Sequence, residues 1–109
     1  MLGIRYINNT AVDLWVGNPS EFSVDLMFDL ATLDETNSLQ STLKQIDEKK
    51  IRHLGIIFPT PTQESTTQLF EDLKSFCGWY PERITIILKS ITEYNMVQKL
   101  MFSLLLKRS

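Results

Sequence analysis

Residues 53–70 read HLGIIFPTPTQESTTQLF. An apolar run ending at Phe58 stops at Pro59, crosses a loop of prolines, hydroxyls and the carboxylate of Glu64, and resumes with Leu69 and Phe70 at helical spacing. A short run that is apolar at nearly every position suits a strand covered on both faces, as parallel strands are. Pro59 ends it, because proline supplies no N–H to a ladder. Strand, loop and helix follow one another here.

The flanking sequence repeats this grammar. In ETNSLQSTLKQIDEKK, Leu39, Leu43 and Ile46 recur at i, i+4 and i+7, which predicts an amphipathic helix over residues 35–49. Leu69, Leu73, Phe76 and Cys77 mark the face of the next helix, closed by Gly78, a favoured C-terminal cap. ITIILK is a second continuous apolar run, followed by a helical face of Tyr94, Val97, Leu100, Met101 and Leu104.

The N-terminal third alternates with a period of two. Val24, Leu26, Phe28 and Leu30 fall on one face of SVDLMFDLA and Asp25, Met27 and Asp29 on the other. AVDLWVG does the same, LGIRYI is consistent, and NNT between these two is a tight turn, so the chain opens with a hairpin. Strands separated by helices imply parallel neighbours, and the hairpin implies an antiparallel edge. The expected fold is an α/β three-layer sandwich with a mixed sheet of about five strands and three helices.

A chain of 109 residues with 43% hydrophobic and 22% charged residues fits a single domain, residues 1–109, with one core. The net charge is -2, and basic residues gather only at Lys49, Lys50, Arg52 and at Lys107, Arg108, so nucleic acid is not an expected partner. The lone Cys77 permits neither an internal disulfide nor a cysteine-based zinc site. MLGIRYINNTAVD lacks the layout of a signal peptide, and MFSLLLK is far shorter than the roughly 20 residues that span a bilayer. A soluble, cytoplasmic protein with no membrane partner is expected.

Ligands of open α/β sheets gather at the carboxyl ends of the strands. Here the loops are GNPSEF, PTPTQES and KSITEY. In the middle loop Ser65 or Thr66 can cap the helix, leaving N–H groups to face an anion, with Thr60, Thr62 and Ser65 as hydroxyl donors. A plain strand-to-helix connection accounts for the same residues, because the loop lacks glycine and carries Glu64.

Catalytic signals are weaker. Asp25 and Asp29 emerge about 13 Å apart along a strand, too far for a shared metal or a retaining glycosidase pair. Asp13, like them, is expected to face solvent. His53 is the one histidine, which excludes a two-histidine metal site, and it begins its strand, away from the ligand end. Cys77 is expected to be a small buried hydrophobe, and Trp15 and Trp79 to be packing or surface-anchoring residues. Glu21 and Glu64 are the carboxylates placed at strand ends for any acid–base role.

Joined together, NSLQSTLKQIDEKKIRHLGIIFPT, PERITIILKSITEYNMVQKL and VDLWVGNPS resemble the macro domain, the ADP-ribose-binding α/β/α module, in shortened form. The resemblance covers about two-thirds of the chain and consists mostly of apolar patterns. It implies a macro-like fold with a cleft for ADP-ribose or a related nucleotide, lined by Asn18, Ser20, Thr60, Thr62, Ser65 and Ser90. Ser20 stands where catalytic members carry an Asn, the family's glycine-rich loop has no counterpart, and INN replaces its acidic adenine-binding motif. Binding without catalysis is the expectation, with no catalytic residue, metal or cofactor assigned. The alternative is a protein-interaction or assembly module that has lost the cleft, meeting a protein partner or forming a homodimer through Trp79, Tyr80 and MFSLLL.

Overall fold

The computed structural model describes residues 4–32, 39–76 and 81–105. Five strands, β1 (Arg5–Ile7), β2 (Thr10–Val16), β3 (Leu26–Asp29), β4 (His53–Ile57) and β5 (Arg83–Leu88), form one sheet in the order β1-β2-β5-β4-β3. β1 pairs antiparallel with β2, and the remaining pairs are parallel. Three helices, α1 (Leu39–Lys49), α2 (Gln63–Phe76) and α3 (Ile91–Leu104), complete the α/β fold. Among the described residues no helix is long and apolar enough to cross a membrane.

The expected hairpin forms: Ile7 faces Thr10 across a loop in which Asn8 takes a left-handed φ of 54°. A second left-handed residue, Lys50 (φ 55°), closes α1, and Ile51 N–H reaches back to the Ile46 carbonyl at 3.0 Å. That is the Schellman arrangement, here without the usual glycine. The starting turn expected at residues 35–38, the face residue Cys77, the cap Gly78 and the pair Trp79–Tyr80 lie outside the described residues, as do the side chains of Leu43 and Phe76 and the end of the MFSLLL tract.

Strand connectivity fixes where the core lies. The chain crosses the sheet in one direction from β2 to β3, then steps back through α1 to β4 and through α2 to β5. Right-handed crossovers in opposite directions lie on opposite faces. Accordingly α2 packs between α1 and α3, and α3 packs on β2 and β5. Val12, Leu14, Phe28, Leu54, Ile56, Ile84, Ile86 and Leu88 from one sheet face join Leu39, Ile46, Leu69, Phe70, Leu73, Val97 and Met101 from the helices in a single apolar cluster.

The opposite face carries no helical layer among the described residues, so the three-layer expectation gives way to one helical layer on a sheet. Its cover is the β2–β3 crossover, residues 17–25, which is too short for more than a single 3-10 turn at Pro19–Glu21. Phe22 meets Trp15 edge-on, with ring centroids 5.6 Å apart. Val24 and Met27 lie over Gly55, where an added Cβ would come within 2.8 Å of the Met27 sulfur. Glycine thus lets this thin cover settle on β4.

Candidate functional site

The six residues expected to line a cleft all lie at carboxyl ends of strands, and most are occupied by capping. Asn18 Oδ1 accepts from Ser20 N–H at 3.1 Å and starts the 3-10 turn after β2. Thr62 Oγ1 accepts from Ser65 N–H at 3.0 Å while Ser65 Oγ accepts from Thr62 N–H at 2.8 Å, a reciprocal box before α2. The cap of α2 is therefore Thr62, and Ser65 supports it from the first turn; Thr66 is buried in the helix. Ser90 caps α3 by accepting from Glu93 N–H at 3.2 Å, and Glu93 Oε1 accepts from Lys89 N–H at 3.1 Å.

Two of the six, Thr60 and Ser65, line a groove of about 280 Å³ between the ends of β3 and β4 and the start of α2. Its walls are chiefly Leu30, Phe58, Pro59 and Leu69, and its charged lining residue is Asp72, which accepts from Gln68 Nε2 at 2.8 Å. Asn18, Ser20, Thr62 and Ser90 stand outside this lining. The volume is at the lower limit for ligand pockets, and the acidic group disfavours a phosphate.

The densest polar network lies elsewhere, on the thinly covered sheet face. Asp13 is buried rather than solvent-facing, with a relative exposure of 6%. Its Oδ1 accepts from the Thr85 hydroxyl at 2.9 Å, and its Oδ2 accepts from Arg83 at 2.6 Å and from the Trp15 indole at 3.0 Å. Strand register brings these groups together, because Asp13 sits opposite Thr85 and Ala11 opposite Arg83. Burial alone would raise the Asp13 pKa, but hydrogen bonds from Arg83, Thr85 and Trp15 outweigh it and hold the carboxyl below its ordinary value. The same hydrogen bond raises Arg83.

His53 joins through Nε2, 2.8 Å from Thr85 Oγ1. An ionised carboxylate can only accept, so the one Thr85 proton goes to Asp13 and His53 Nε2–H donates to Thr85. The proton order runs away from the imidazole, which makes His53 unsuited to activate Thr85 as a nucleophile. Desolvation, with the nearby Arg83 charge, lowers the His53 pKa and favours the neutral ring. Asp25 likewise serves the backbone, accepting from the N–H groups of Arg52 and His53 at 3.1 and 3.0 Å. Among the described residues no cluster of three or more His, Cys, Asp or Glu is arranged to hold a metal.

Beside this network, along β2, runs a second groove of about 360 Å³. Ile4, Leu14, Trp15, Val16, Ile91 and Tyr94 give it an apolar lining, with Asp13 and Arg83 at its polar margin. Trp15, Val16 and Ile91 are 47%, 39% and 63% exposed, a concentration of large apolar side chains in contact with water. The polar residues inside otherwise apolar runs, Asp13 in VDLW and Thr85 in ITII, were the sequence signal for the network, since such groups must find partners when buried.

No family model matches the chain, and no curated protein or solved structure matches it either.

Proposed function

We propose that this chain is a protein-interaction module whose contact surface is the groove beside β2. The observation that carries this reading is the convergence of Trp15, Val16 and Ile91, all exposed, on one apolar groove beside β2. Scattered exposed hydrophobes are ordinary on a soluble protein, whereas contiguous ones mark partner surfaces. A reducing, cytoplasmic setting accords with this reading, since the sequence holds one cysteine.

A second reading is nucleotide binding by a macro-like fold. It draws support from the resemblance of residues 12–20, 37–60 and 81–100 and from the groove that includes Thr60 and Ser65. It is the weaker of the two because Thr62, Ser65 and Ser90 already spend their hydroxyls on helix caps.

Selection from a displayed random-peptide library separates the two. Peptides enriched on the wild-type protein should be lost on a Val16→Lys, Ile91→Lys double variant, and calorimetric titration with millimolar ADP-ribose should give no saturable heat. Saturable heat that Thr60→Trp abolishes, with no groove-dependent peptide, would transfer the assignment to the second reading.

A further inference from the structure

We infer that His53 and Arg83 form a pH-sensitive pair around Asp13: in mild acid a charged His53 loosens Arg83 from the carboxylate and leaves Trp15 more tightly held there. The switch goes beyond the interaction reading and does not depend on it.

The path is continuous and lies on the thinly covered sheet face. His53 Nε2 meets Thr85 Oγ1 at 2.8 Å, and the Thr85 hydroxyl donates to Asp13 Oδ1 at 2.9 Å. Asp13 Oδ2 is shared by two donors, Arg83 at 2.6 Å and the Trp15 indole at 3.0 Å. Register adds a second link, because His53 and Arg83 are direct partners on β4 and β5, and paired side chains leave a sheet on the same face. One carboxylate therefore has two basic side chains beside it. At neutral pH only Arg83 is charged.

The groups around His53 fix when this changes. Among the described residues, Arg83 faces it from β5, Asp13 from β2 and Asp25 from the β2–β3 crossover, while its chain neighbour Arg52 pairs with Glu82 at 3.3 Å. Burial and Arg83 oppose a charge on the ring, the two carboxylates favour it, and the opposition prevails, so the ring charges below pH 6.5. Asp13 stays ionised throughout that range, since its own carboxyl titrates below 3.8. Thr85 thus keeps donating to Asp13, and protonation breaks no hydrogen bond between Thr85 and the ring. What it adds is charge.

A second cation beside Arg83 weakens the hold of Asp13 on the guanidinium. The two donors at Oδ2 differ in freedom to respond. The Arg83 side chain is 48% exposed and can exchange the carboxylate for water, whereas Trp15 is braced edge-on by Phe22. Arg83 therefore yields, and Oδ2 is left to the indole. Because Trp15 and Arg83 both border the groove beside β2, the acid form presents a freer guanidinium at that margin.

The test follows the full ¹⁵N-labelled chain by NMR from about pH 8 to about pH 5, the range in which histidines titrate. Trp15→Phe identifies the indole signal, since the sequence holds a second tryptophan, Trp79. Three readings should share one midpoint below 6.5: the His53 ring titrates, the Trp15 indole proton moves downfield, and the Arg83 guanidinium gains motion in ¹⁵N relaxation. His53→Gln keeps a donor for Thr85 but cannot charge, so the Trp15 and Arg83 responses should vanish. An indole that stays in place or moves upfield, an unchanged Arg83, or responses that survive in His53→Gln overturn the inference. If His53→Gln fails to fold, the wild type decides, and midpoints that do not coincide overturn it. Peptide binding enters none of these readings, so a failed interaction reading leaves the switch standing, and a failed switch leaves that reading intact.

Discussion

Replacing Asp13 by Asn tests whether the polar network holds the thinly covered face together. The substitution keeps the shape but removes the charge to which Thr85, Trp15 and Arg83 donate. A hydrogen bond to an ionised group is worth about 1 kcal/mol more than a neutral one, so the Thr85 and Trp15 bonds together lose about 2 kcal/mol. Arg83 is half exposed, and solvent screening limits its share to about 0.5 kcal/mol. Easier burial of a neutral amide returns part of this. The expected net loss is about 2 kcal/mol at pH 7, or about 1 M in the urea midpoint for a chain of this size.

The assay is urea unfolding followed by far-ultraviolet circular dichroism at several pH values. Because the folded carboxyl titrates below its ordinary 3.8, its stabilisation is present above that value and is lost as the pH falls through the folded pKa. The gap between wild type and Asp13→Asn should therefore narrow in acid, where the wild type neutralises its own carboxyl. A gap under about 0.5 kcal/mol at pH 7, typical of exposed sites, or one unchanged by acid, would refute a buried, ionised Asp13.

His53 gives a second pH window: its folded pKa lies below the ordinary 6.5, so the unfolded chain takes up the proton first and stability declines as the pH drops below 6.5. His53→Gln should flatten that decline in the same unfolding series. Ser90→Ala removes the cap of α3 and should cost about 1 kcal/mol, read as a melting temperature lower by about 4 °C. Lys50→Gly relieves a left-handed residue at the end of α1 and should stabilise the protein by about 0.5 kcal/mol after glycine's greater unfolded-state freedom is counted. A loss of stability there would show that the Lys50 side chain contributes more than its backbone strain costs.

Periodicity made most of the fold legible before any coordinates. The continuous runs at Leu54–Phe58 and Ile84–Leu88 contain the parallel inner strands, and the Asn8–Asn9 turn makes the expected hairpin. What periodicity left open was the side on which each connection runs, because that depends on strand order, and β5 inserts between β2 and β4. The same insertion places Thr85 and Arg83 beside Asp13, so a residue that looked solvent-facing in its own strand becomes buried through partners about 70 positions away. The loop from Thr60 to Ser65 was legible as a helix start. Which hydroxyl capped it was not, since Thr62, Ser65 and Thr66 all carry the required oxygen and only their backbone geometry distinguishes them.

That capping also bears on where recognition capacity remains. A helix N-terminus attracts an anion when its first N–H groups lack partners and its dipole is uncompensated. At α2 the Thr62–Ser65 box satisfies such groups, and at α3 Ser90 does. Glu64 and Glu93 add negative charge in the same first turns, stabilising each helix and opposing a phosphate. An incoming anion would have to displace caps worth about 1 kcal/mol each and approach two carboxylates. The groove beside β2 imposes no such cost, since burying Trp15, Val16 and Ile91 against a partner would itself be favourable. The chain's polar chemistry at the strand ends is thus committed to holding its helices, while the groove beside β2 presents the exposed apolar surface on which the proposed contact rests.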